Sequence, residues 1–128
     1  MIATGEFSIE LTPAEGDDVE AGRMSFTKSF SGDITGSSEG QMLSKRTQTA
    51  GSAAYVAIEF FTGSINGLKG EVSFHHTGVM DKGTDSLSVL VVPDSGTDEL
   101  EGICGSMMIK IASGVHRYQF EYEFNQQE

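Results

Sequence analysis

The sequence predicts an all-β fold, a closed barrel of eight antiparallel strands. Three observations carry that expectation. Apolar and polar residues alternate with period 2 along most of the chain, the pattern of half-buried strands. Turn signals interrupt the alternation at short intervals. The pattern Phe-(Ser/Thr)-Gly-X-Ile-X-Gly occurs twice, from Phe30 to Gly36 and from Phe61 to Gly67, with a looser echo from Leu100 to Gly105. Glycine at such points supplies positive φ and close backbone approach, so the repeats mark corners.

The strands follow in order. Phe7, Ile9 and Leu11 give a first strand over about 4–12, and an acid-rich loop runs from Pro13 to Glu20. Met24, Phe26, Lys28 and Phe30 give the second, which ends at the first glycine corner. A third, over about 36–48, is mostly polar, with Met42 and Leu43 among Ser, Glu, Gln and Lys. The fourth runs from Ala53 to Phe61 and is apolar on both faces: Ala54, Val56, Ile58 and Phe60 on one, Ala53, Tyr55, Ala57, Glu59 and Phe61 on the other. Such a strand is covered on both sides.

Asn66-Gly67 is a hairpin turn signal leading to the fifth strand, over about 68–80, where Val72, Phe74, His76 and Gly78 oppose Glu71, Ser73, His75 and Thr77. Asp81-Lys82-Gly83 turns into the sixth, over about 84–92, which Pro93 ends. After an acidic loop from Asp94 to Glu101, the seventh strand spans about 102–112, and Ser113-Gly114 turns into the eighth. There His116, Tyr118, Phe120, Tyr122 and Phe124 share one face. Closing this meander removes its exposed edges, so a barrel is the expected solution; an open two-sheet sandwich is the alternative. No segment reads as a helix.

Charge and composition bound the function. The net charge is −11, with only 8 Lys and Arg residues, and Lys45-Arg46 is their one adjacent pair. A surface of that kind suits neither nucleic acid nor an anionic membrane. The 128 residues form one domain, residues 1–128, large enough to bury a core. The lone Cys104 allows no internal disulfide, and neither a secretory signal nor an apolar run of membrane-spanning length is visible. The expected compartment is the cytoplasm. The two-faced fourth strand calls for a partner subunit, so a homo-oligomer is expected.

The segments Gly51 to Gly63, Val72 to Gly78 and Val91 to Gly102, taken with the glycine corners, resemble a bacterial family known as domain of unknown function 3224. The resemblance covers essentially the whole chain. It implies a closed antiparallel barrel similar to that of plant allene oxide cyclases and dirigent proteins, and no assigned activity. The chain departs from the family pattern at Gly78-Val79-Met80, where the strand reads short, and over Gln41 to Thr47. At the positions of Tyr55, Glu59, His76 and His116 the resemblance implies Tyr, Glu and His.

Gly36-Ser37-Ser38-Glu39-Gly40 matches the hydrolase nucleophile elbow, but that elbow needs a strand–turn–helix, and the chain supplies no helix. His75 and His76 are neighbours on a strand and point to opposite faces, so one metal does not take both. His76, His116 and Glu59 are the set that would suit zinc or iron, but no metal or cofactor is assigned. The acids from Asp94 to Glu101 lack calcium-loop spacing and read as a solvated loop; Cys104 reads as packing.

The polar groups on apolar faces carry the functional reading. If those faces line the barrel, Tyr55, Glu59, Phe74, His76, His116, Tyr118 and Tyr122 wall a pocket of apolar surface with a few placed polar groups. The expected function is binding of a small, largely apolar molecule. The alternative is an isomerase or cyclase using Glu59 with His76 or His116 as acid and base. A third reading is a structural module in which the same groups only satisfy one another. The shared pocket requires Glu59 to face the lumen. The purer apolar face of its own strand argues the other way.

Overall fold

The computed structural model describes residues 1–13 and 22–125. Eight strands appear in the expected order: β1 Ile2–Pro13, β2 Gly22–Gly32, β3 Ile34–Arg46, β4 Ala53–Ile65, β5 Leu68–Asp81, β6 Thr84–Val91, β7 Ile103–Ala112 and β8 Val115–Phe124. Each pairs antiparallel with its sequence neighbours, and β8 returns to β1, closing the barrel. Apart from Pro13, the first acid-rich loop lies outside the described residues. The polar third strand is real: it pairs along its whole length with β4. β5 continues through Gly78-Val79-Met80 to Asp81, so the strand is not shortened there.

Parity then fixes every side chain. Odd residues face inward on β1, β4, β6 and β7, and even residues on β2, β3, β5 and β8, as the alternation of buried and exposed positions shows. On β4 the inward set is Tyr55, Ala57, Glu59 and Phe61, while Val56, Ile58 and Phe60 are about half-exposed on the outside.

The repeated motif builds two corners. Phe30 and Phe61 meet edge to face at 5.4 Å, and Ile34 and Ile65 pair across β3 and β4 with both side chains buried. Gly32 ends β2 and Gly67 sits in the turn after β4, as expected of corners. Gly63 lies inside β4 instead, opposite Gly36. A Cβ on Gly63 would run into the carbonyl oxygen of Thr35, and one on Gly36 into that of Thr62. This glycine pair therefore serves close approach of two strands rather than a turn.

Two tyrosines of β8 tie these corners to the far side of the barrel. The Tyr118 hydroxyl accepts from the Ile34 N–H at 2.8 Å and donates to the Ser31 carbonyl at 2.7 Å. The Tyr122 hydroxyl accepts from Asn66 Nδ2 at 2.7 Å. Tyr118→Phe should therefore strand the buried Ile34 N–H and lower stability by about 1–3 kcal/mol. A urea unfolding midpoint equal to that of the wild type would show that the corner does not depend on this hydroxyl.

The two ends of the barrel differ. At one end Ile65, Leu100 and Phe120 are fully buried, with Ile34, Val72 and Phe74 packed beside them. β6 covers β5 only from Phe74 onward, so residues 68–73 of β5 present an open edge. The connection from β6 to β7 covers it. Ser95 Oγ accepts the Ser73 N–H, Thr97 Oγ1 accepts the Glu71 N–H, and a short 3-10 turn, Asp98–Leu100, drives Leu100 into the core. The segment expected as a solvated acidic loop thus caps a sheet edge. At the opposite end the inward-facing Leu11, Met80, Leu87 and Ile111 are 40–67% exposed and, among the described residues, form an apolar rim.

Candidate functional site

Between the apolar rim and the packed end lies a buried polar cluster. Its geometry follows from strand register. Lys28 on β2 stands opposite Ser38 on β3, and Gly40 on β3 stands opposite Glu59 on β4. The small inward residues of β3 keep that part of the wall low, so the Lys28 side chain crosses it and reaches Glu59. Glu59 stands opposite Phe74, which puts His76, two residues further along β5, on the diagonal within side-chain reach.

Glu59 is the hub. Its Oε1 accepts from Lys28 Nζ at 3.0 Å and pairs with His76 Nε2 at 2.8 Å; its Oε2 accepts from Ser38 Oγ at 2.5 Å. All four side chains are at most 5% exposed. The Lys28 ammonium also rests 4.6 Å from the centroid of the Phe7 ring, with Phe26 and Phe30 beyond. Aromatic faces attract a cation in this position, which offsets part of the lost hydration. Among the described residues no buried side-chain polar atom lacks a partner.

The electrostatics have one dominant outcome. Burial alone would raise the Glu59 pKa. The hydrogen bond from His76, the Lys28 charge and the Ser38 hydrogen bond outweigh it and hold the carboxyl down at about 2. Glu59 is therefore ionised and only accepts hydrogen bonds. His76 must then carry a proton on Nε2, and in the neutral ring Nδ1 keeps its lone pair. The carboxylate orients the imidazole and fixes its tautomer. The cluster places the Nδ1 edge of the carboxylate-oriented His76 ring in the same buried group as the Lys28 ammonium.

The remaining expected site residues divide. Tyr55 is inward and half-buried; its ring lies on Gly78, where a Cβ would meet it, and its pKa is raised by burial and then by the Glu59 charge. His116 does not join Glu59. It packs on Phe7 at 5.1 Å, the ring that also carries Lys28. Phe74, Tyr118 and Tyr122 belong to the packed core, with Phe74 against Phe120 and both tyrosine hydroxyls committed to the corners. The set Glu59, His76 and His116 does not form a metal centre; among the described residues no three His, Cys, Asp or Glu groups converge for one.

Lys28 and Ser38 were not among the expected site residues. A signal for Lys28 is present in the sequence, since it is the one charged residue on the inward alternation Met24, Phe26, Lys28, Phe30. Ser38 has none, being one serine among several. Two open grooves of about 500 and 480 Å³ lie on the outer surface, one over β1 to β4 beside Phe60 and one at the β1–β8 seam beside His116. Neither includes the Glu59 cluster.

The fold and this cluster define an eight-stranded antiparallel barrel with a buried Lys–Glu–His–Ser network beneath a rim of exposed apolar side chains. The family described as protein of unknown function (DUF3224) matches residues 3–122, and the chain belongs to it. A solved structure of a DUF3224 protein of unknown function from Shewanella oneidensis MR-1 is 39% identical, with a TM-score of 0.95, covering 99% of this chain and 98% of that one. No curated protein matches. Among the described residues no helix is long and apolar enough to cross a membrane.

Proposed function

We propose that the barrel binds a small, largely apolar molecule through its apolar rim, in the cytoplasm, with the polar end of that molecule directed at His76 and Lys28. The carrying observation is the exposure of Leu11, Met80, Leu87 and Ile111, inward-facing apolar side chains on four different strands. Apolar surface turned toward a lumen and left wet gains by being covered. Beneath it, Tyr55 and the Glu59-oriented His76 supply the few polar groups that fix a ligand's orientation. Native mass spectrometry of protein purified from its own host tests this. The expected result is a retained molecule adding mass beyond a whole number of 13.7 kDa chains, lost in Leu87→Asp. Protein that carries nothing and fails to bind anilinonaphthalene sulfonate would contradict it.

One observation favours an enzymatic reading of the same site. A carboxylate-oriented imidazole next to a buried ammonium suits proton abstraction beside a carbonyl, with His76 as base and Lys28 stabilising the developing oxyanion. An isomerase or cyclase would use that step. A retained ligand should then take up deuterium at carbon in heavy water, more slowly in Glu59→Gln. Equal exchange in both proteins would leave binding alone.

A further inference from the structure

We propose that the outer face of β3 to β6 is a two-fold interface between two copies of this chain. The face is defined by register. Reading across β3, β4, β5 and β6, its rows are Gln41, Ile58, His75, Leu90, and Leu43, Val56, Thr77, Ser88. They are flanked by Glu39, Phe60, Ser73 on one side and by Lys45, Ala54, Val79, Ser86 on the other. Leu43, Val56, Ile58, Phe60, Val79 and Leu90 are each 40–56% exposed.

The face stands out by charge. Its positions on β4, β5 and β6 hold no Asp, Glu, Lys or Arg, although the chain is 21% charged and carries a net charge of −11. The outward positions of β8 include Arg117, Glu121 and Glu123, and those of β1 include Glu6 and Glu10. The apolar surface is therefore one-sided, not a girdle around the barrel. The outward positions Ser25, Thr27, Ser29 and Ser31 of β2 also lack acid but are polar; the β3 to β6 face joins low charge to a contiguous apolar surface, where two strongly acidic molecules can meet.

The face is also complementary to itself. A two-fold axis in the plane of the face, crossing the strands between Gln41 and Leu43, sets each strand antiparallel on its own copy. Phe60 then meets the small Ala54 of the other copy, Ile58 meets Val56, and Leu90 meets Ser88. Glu39 meets Lys45, so the only two charges on this grid oppose each other with opposite sign. A second copy fits this pattern without any further assumption about a partner. The wall of a closed barrel curves away from the axis, so β4 and β5 carry the centre of the contact and β3 and β6 its rim.

Sedimentation equilibrium of the full chain at tens of micromolar tests the proposal. The expected mass is twice 13.7 kDa. Ile58→Asp, which buries a charge at the centre, should return it to one chain mass, while Ser8→Asp on the outer face of β1, away from β3 to β6, should leave the dimer intact. If Ile58→Asp fails to fold by circular dichroism, Phe60→Thr, at a half-exposed position, should still raise the dissociation constant by at least tenfold. A monomeric wild type, a trimer, or a dimer indifferent to Phe60→Thr would overturn the proposal.

Discussion

Glu59→Ala should destabilise the barrel by about 3–5 kcal/mol, the cost of leaving a buried charge without its partner. Lys28 and His76 would both face an empty site, and Ser38 would lose its acceptor. Against a total stability of about 5–15 kcal/mol for a domain of this size, the loss is large enough to populate unfolded chain at room temperature. The doubly substituted Lys28→Met, Glu59→Leu protein should be more stable than Glu59→Ala, because it removes both charges and keeps apolar volume. Urea denaturation of the two variants measures this. If the double variant is the less stable, the cost comes from lost packing rather than from stranded charge, and the electrostatic account of the cluster fails.

Phe120→Ala should cost a similar ~3–5 kcal/mol, by a different mechanism, since it opens a cavity in the packed end. Phe120 is fully buried, stacks on Tyr122 at 5.1 Å and meets Phe74 edge-on at 5.6 Å. Leu87→Ala at the apolar rim should cost well under ~1 kcal/mol, since Leu87 is 43% exposed. Equal losses in the two variants would contradict the division of the barrel into a filled end and an exposed rim.

Much of the fold was legible because strand alternation is a local signal. The bounds of β5 to β7 fall within a residue or two of those read from turn residues, and Pro93 closes β6 as expected. Gly63 was misjudged because strand–strand approach depends on what lies opposite, here Gly36, which local sequence does not display. The orientation of β4 could not be decided locally, since both its faces are apolar and only register with β3 and β5 puts Glu59 inside. Parity assigns a side chain to the lumen but says nothing about depth along it. That is why Tyr118 and Tyr122, correctly read as inward, lie in the core, and why His116 lies against Phe7 rather than beside His76. The Lys28–Glu59 pair spans β2 to β4 over small β3 residues, a contact that no pairwise pattern contains.

Glu59 is buried, ionised and held by Lys28, Ser38 and His76. Carbon-13 NMR titration of its carboxyl group, assigned through the signal missing in Glu59→Gln, tests it most directly. The predicted midpoint is about 2, against an ordinary 4.5. A folded-state value below the unfolded one means the ionised carboxylate stabilises the fold fully above pH 4.5, and that this contribution is lost as pH falls through about 2. The carboxyl should therefore still report its ionised form where ordinary glutamates are half-protonated. A midpoint at or above 4.5 would contradict the account.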